Sequence, residues 1–151
     1  RIVEGHSADH YIFSNAETID TPFSLYSFSA VTQQSERLTA PPATGRGDYY
    51  MALSPDSSSL AFLRNTQQYV TEIRLFDLNK RNDVLLDHVD TTLFTVNWSH
   101  DGKSLIYKNA ANQIVALDLQ SYQKTVLKEK PFCSECKPSF VLNDQACYQP
   151  I

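Results

Sequence analysis

Glycine is scarce in this chain: Gly5, Gly45, Gly47 and Gly102 are the only four among 151 residues. A P-loop or a dinucleotide fingerprint needs several glycines at short fixed spacing, so neither can be written here. No GxSxG elbow occurs, and no recognisable motif ties the serines, histidines and aspartates into a nucleophilic arrangement. Basic clusters are also missing. Lys+Arg number 13 against 17 Asp+Glu, the formal charge is −4, and no run of five or more cations appears. Phosphate backbones and anionic lipid find no attraction in such a chain, which argues against direct nucleic-acid binding. No apolar stretch approaches the roughly 18 residues that span a bilayer, so membrane insertion by these residues is not expected. The chain begins at Arg1 rather than Met, as a segment cut from a longer protein would.

Cysteine is absent from the apolar centre of the chain. All three, Cys133, Cys136 and Cys147, fall in the last twenty residues. A structural disulfide, Cys133 with Cys136 or either with Cys147, is the leading expectation. Zinc would need a fourth ligand, yet no His lies within thirty residues. A redox dithiol would want a helix N-terminus, whereas Pro131 and Pro138 flank the CSEC segment. Free thiols are the remaining alternative. His6 and His10 lack an HExxH context and read as surface or turn residues. Catalytic residues, metal and cofactors are accordingly not expected.

What the chain does have is short apolar runs rich in Tyr, Phe, Val and Ile, punctuated by Asp, Asn, Ser and Gly, with little helical periodicity. These predict strands near 10–14, 23–31, 36–39, 48–53, 59–65, 70–78, 83–87, 92–98, 103–109, 112–119, 124–128, 138–142 and 145–149. The fold class is all-β.

The runs repeat. "SPDSSSLAF" and "SHDGKSLIY" align with Asp56 on Asp101, 45 residues apart, and "EIRLFDLNKRNDVLL" aligns with "QIVALDLQSYQKTVL", Asp77 falling on Asp118, 41 residues apart. An earlier copy, "FSLYSFSAVTQQSERLT", puts Ser29 where Asp77 stands. Four antiparallel strands in slightly more than forty residues is the signature of a β-propeller blade. In each Asp-turn, Pro55 presets φ, Asp56 or Asp101 accepts backbone N–H bonds, and the next residue needs a positive φ. Gly102 adopts that freely; Ser57 would do so at a cost of roughly 1 kcal/mol. The run after the turn is apolar on both sides of the strand, Leu60 and Phe62 against Ala61 and Leu63, and so must be covered on both faces.

With these phrases the chain resembles the WD-like propeller repeat of the TolB type, "(F/W)SPDG(K/S)xLAF" followed by "I(Y/W)xxDLxxGxxxxLT". Residues 5 to 150 carry the resemblance. Ser57 stands for the usual Gly, His100 for the Pro, and the last unit, "PSFVLNDQACYQP", lacks the Pro-Asp pair. The resemblance implies a propeller fragment of about three to three and a half four-stranded antiparallel blades, at about 1–43, 44–88 and 89–129, with the start of a fourth at 130–151. Closed propellers carry four to eight blades, so open edges are expected, and with them homodimer formation.

Such repeats resemble those of extracytoplasmic bacterial proteins. The resemblance therefore implies a non-catalytic recognition or sensing domain in the periplasm or otherwise outside the cytoplasm, binding a protein partner or a small signal molecule. The periplasmic part of a ToxR/CadC-like membrane-spanning winged-helix regulator is the expected parent. The alternatives are the substrate-gating propeller of a prolyl-oligopeptidase-like serine peptidase and a TolB-like envelope interaction scaffold. "PPATGRGDYY", residues 41–50, joins two blades, and loops between blades line a propeller face where binding sites tend to lie. Arg46, Asp48, Tyr49 and Tyr50 are the candidate binding residues there; a connector whose tyrosines join the core is the bland counterpart.

Overall fold

The computed structural model describes residues 9–128 in full, together with the backbone of 2–4, 129–130, 140–143 and 146–150. The described residues form strands and turns and no helix. The first sheet contains β1 (Ile2–Glu4), β2 (His10–Asn15), β3 (Ser24–Ser29) and β4 (Gln34–Arg37), in that spatial order. The second contains β5 (Gly47–Leu53), β6 (Ser59–Gln67), β7 (Val70–Asp77) and β8 (Asn82–Val89), again in order. The third begins as β9 (Asn97–Trp98), β10 (Ser104–Lys108), β11 (Ile114–Asp118) and β12 (Lys124–Lys130). Every pairing between neighbours is antiparallel. In the second sheet consecutive strands are neighbours because connections of two to five residues leave no room for a crossover.

At residues 130–151, where the repeat suggested the opening of a fourth unit, β13 (Phe140–Asn143) and β14 (Ala146–Pro150) form a hairpin. That hairpin extends the third sheet: β14 pairs with β12, Leu127 facing Pro150 and Lys128 facing Gln149. An outer-edge strand offers unpaired N–H and C=O groups, and the hairpin takes them up.

Packing follows from the two-sided strands. Leu60 and Phe62 of β6 turn towards the first sheet and, with Met51 and Phe76, bury Ile12 and Leu25. Ala61 and Leu63 turn the other way, joining Ile73 and Val89 in a cluster with Val96, Leu105, Tyr107 and Leu117 around the third sheet. All four β6 side chains are 0% exposed. The pattern repeats one sheet on: Leu105 and Tyr107 belong to that central cluster, while Ile106 points to the opposite face with Ala116 and Leu127. The two larger cores are thus interfaces between blades.

Hydrogen bonds stitch the same interfaces. The Trp98 indole Nε1 donates to the Ala52 carbonyl at 2.8 Å, and the Tyr49 hydroxyl donates to the Leu93 carbonyl at 2.7 Å. Both are half-buried aromatic groups whose apolar body packs against the central cluster while the polar tip finds backbone.

Turn geometry exposes the consequence of so few glycines. Among the described residues, seven other than glycine adopt positive φ: Gln33, Tyr50, Ser57, Tyr69, Arg81, Asn112 and Tyr122. Ser57 has φ 60° and Gly102 has φ 72° at equivalent places. Gln33, Arg81 and Tyr122 are likewise equivalent, each closing a five-residue turn by donating its N–H to the carbonyl of Ser29, Asp77 or Asp118 at 2.8, 2.8 and 2.9 Å. A side chain in this region crowds the following carbonyl and raises the energy by about 1 kcal/mol. Ser57→Gly and Tyr122→Gly should therefore each stabilise the fold by about 0.5–1 kcal/mol, and the pair should act additively because the sites lie in different sheets. Denaturant unfolding of the two single variants and the double variant measures this; a loss of stability in either single variant would refute it.

Candidate functional site

Because the strands of each sheet alternate in direction, the loops divide between two ends. One end carries the β3–β4, β5–β6, β7–β8, β9–β10 and β11–β12 turns. The other carries the β2–β3, β6–β7 and β10–β11 turns and the two connectors between sheets, residues 38–46 and 90–96. These are the turn face and the connector face.

The connector face holds the candidate site. A groove of ≈ 730 Å³ opens there, with Phe23, Arg46, Gln68, Tyr69, Thr92 and Phe94 in its walls. Three of these are exposed aromatics: Phe23 at 47%, Tyr69 at 66% and Phe94 at 78%. Apolar rings left in water at the rim of a groove mark a binding surface more often than a packing remainder does.

The segment carrying Arg46 is held rigidly, and its flanking glycines explain how. A Cβ on Gly45 would collide with the Asn65 carbonyl, and one on Gly47, which has φ 89°, would collide with the Phe23 backbone. Only glycine permits backbones to come this close. The approach is fixed by hydrogen bonds: Phe23 N–H donates to the Arg46 carbonyl at 2.8 Å, Asp48 N–H donates to the Phe23 carbonyl at 2.7 Å, and Arg46 N–H donates to Asn65 Oδ1 at 2.9 Å.

The four residues that the sequence nominated here part company. Asp48 is buried, with Arg64 donating to it through Nε at 2.5 Å and Nη2 at 3.0 Å. Burial pushes the Asp48 carboxyl pKa up, and the guanidinium fork works against that rise. The pair continues outward: Arg64 Nη2 lies 3.9 Å from Asp83, whose carboxylate takes Arg74 Nε at 2.7 Å, and Arg74 reaches Glu72 at 2.7 Å. Tyr49 serves the interface between the second and third sheets through Leu93. Tyr50 sits half-buried at a bulge in β5, where φ is 39°. Of the four, Arg46 alone is exposed at the groove.

Sequence reasoning missed the aromatics. Phe94 fell inside an expected strand at 92–98, but β9 is confined to Asn97–Trp98, and residues 90–96 form the connector. Leu93 and Val96 are buried there while Phe94 is not, a spacing of three that breaks strand alternation. Tyr69 lies in a two-residue turn, an uncommon place for a large ring, and that was legible.

The nominated turn residues occupy the opposite, turn face. Asp56 Oδ1 accepts from Ser54 Oγ at 2.6 Å, Ser58 Oγ at 2.7 Å and Ser58 N–H at 3.0 Å. Asp101 repeats the device, accepting from Ser99 Oγ at 2.7 Å and Lys103 N–H at 3.0 Å. Pro55 packs near Gly102, so the two turns abut across the blade interface. Cys133 and Cys136 lie outside the described residues, and Cys147 belongs to β14, of which the backbone alone is described. His10 lies in β2, and His6 is outside the described residues. Among the described residues no group of three or more His, Cys, Asp or Glu side chains is placed to hold a metal ion. Among them, too, no helix is long and apolar enough to cross a membrane.

No family model matches the chain, and no curated protein sequence is significantly similar to it. Solved structures are similar. TolB from Acinetobacter baumannii shares 21% identity at a TM-score of 0.64, over 93% of this chain and 33% of that one. The β-propeller domain of the Trilobed protease from Pyrococcus furiosus, described as having an open velcro topology, shares 14% at 0.57, over 81% of this chain and 41% of that one. A prolyl endopeptidase shares 14% at 0.61, over 83% of this chain and 21% of that one. At these identities the likeness is one of fold. The chain is an all-β segment of the β-propeller class, similar to TolB-like propellers, and spans less than half the length of each of these structures.

Acid should loosen the turn face. Hydrogen bonds from Ser54 and Ser58 hold the Asp56 pKa at about 2, and comparable bonds lower those of Asp77, Asp101 and Asp118. Each folded value lies below the unfolded value of about 4, so this stabilisation is complete above about pH 4 and is lost as pH falls through the folded values towards about 2. Unfolding midpoints taken between pH 5 and pH 2 should fall steeply, and Asp56→Asn should flatten the slope. An unchanged slope in that variant would count against the turn as its source.

Proposed function

We propose that the chain is a non-catalytic recognition segment of a β-propeller, binding a protein partner on its connector face. One observation carries this reading: Phe23, Tyr69 and Phe94 remain exposed around one groove, whereas Tyr49, which also lines it, is half-buried and tied into structure through the Leu93 carbonyl. The similarity to TolB structures favours an interaction scaffold of the TolB-like kind, working outside the cytoplasm. It gives no such backing to the sensor part of a membrane-spanning regulator. Similarity to the propeller domain of a protease and to a prolyl endopeptidase supports a second reading, in which the segment belongs to a propeller that gates a peptidase.

Photo-crosslinking separates these. A benzophenone amino acid at position 94 should give a discrete adduct with a second protein in cells that make this one natively. The same group at position 31, exposed on the turn face, should give none. An adduct with another part of the same polypeptide would support the gating reading. No adduct at 94, or the same adduct from both positions, would contradict a connector-face site.

A further inference from the structure

The described residues include five arginines, and four of them have carboxylate partners. Arg64 is paired with Asp48, Arg74 with Glu72 and Asp83, Arg81 with Glu36, and Arg37 with Glu17. Arg46 has no carboxylate partner among the described residues, and its side chain makes no hydrogen bond there. It is also the arginine that lines the groove, whose walls contain no Asp, Glu or Lys. In a protein of formal charge −4, one recess thus carries an unopposed positive charge. Its backbone cannot drift, because Gly45 and Gly47 lock the loop against Asn65 and Phe23.

A guanidinium presents a planar fork of donors that fits a carboxylate in two parallel hydrogen bonds, and it is weakly enough hydrated to do so beside apolar rings. Phe23, Tyr69 and Phe94 supply those rings. The hydroxyl of Thr92 and the amide of Gln68 add polar contacts that a peptide backbone uses. From this juxtaposition, and resting on the connector-face reading above, we propose that the groove binds an acidic peptide segment. One Asp or Glu carboxylate, or a chain-terminal carboxylate, sits on Arg46, and apolar side chains on either side of it pack against Phe94 and Tyr69.

Phage-displayed random dodecapeptides, selected on the whole chain and then measured singly by fluorescence anisotropy, test it. The expected consensus has a carboxylate flanked by apolar residues. Arg46→Glu should weaken these peptides at least tenfold, and Phe94→Ser should weaken them as well. Lys80→Glu, the same charge change on the turn face, should leave them unaffected, and added salt should reduce the Arg46 effect. Peptides that depend on Phe94 but lack a carboxylate and ignore Arg46→Glu would overturn the proposal while leaving the connector-face site standing. Selection of no peptide that depends on Phe94 would end both. Binding of trigalacturonate in the groove in place of peptide, lost with Arg46→Glu, would overturn the peptide assignment in favour of an acidic saccharide.

Discussion

A sheet that is apolar on both faces has to be covered on both, and the rest of this molecule is arranged around that constraint. β6 is where it is sharpest: Leu60 and Phe62 leave water on one side, Ala61 and Leu63 on the other, and all four are fully buried. A lone sheet could not satisfy such a strand. Stacking sheets face to face does, and because the third sheet repeats the pattern, the stack continues from the first through the second to the third. The loops are then sorted onto two ends, one of tight turns and one of connectors. The groove exists because three connector-face segments, near Phe23, Arg46 and Phe94, are brought together by the stacking and by nothing local.

The second influence is the shortage of glycine. Two of the four glycines, Gly45 and Gly47, are committed to the close approach beside Arg46, and Gly102 closes one Asp-turn. The equivalent Asp-turn falls to Ser57, and the five-residue turns fall to Gln33, Arg81 and Tyr122. Aspartate offsets part of the strain. Asp77 and Asp118 each take two backbone N–H groups inside the turn that Arg81 or Tyr122 closes, at 2.7 to 2.9 Å. Strained conformations combined with strong local acceptors give turns that are well defined but sensitive to protonation.

Much of the fold was legible because its signals are local. The Pro-Asp and Asp-Leu phrases mark turns, alternation marks the strand faces, and the second sheet in particular was read nearly to its ends: strands expected at 48–53, 59–65, 70–78 and 83–87 are found at 47–53, 59–67, 70–77 and 82–89. The candidate site was legible only in part. Arg46 stood out by its glycine neighbours. Asp48, two residues on, carried the same apparent promise but faces Arg64 across the β5–β6 ladder, a register that composition does not reveal. Phe94 was hidden by a run, "TTLFTVNW", whose β-forming residues suggested one strand, whereas Leu93 and Val96 anchor a connector with the ring between them turned outward. The hairpin of β13 and β14 has no turn phrase of the repeated kind, so its attachment to β12 depended on which edge was open.

Native-state hydrogen exchange bears most directly on the two-sided packing. If the face-to-face burial of the second sheet holds the molecule together, the backbone amides of β6 and β7 exchange only through global unfolding and are the slowest in the chain, with β2, β3, β10 and β11 opening at lower free energy. Exchange of the β6 amides before those of β3 or β10 would show that the central sheet does not organise its neighbours, and would contradict the account.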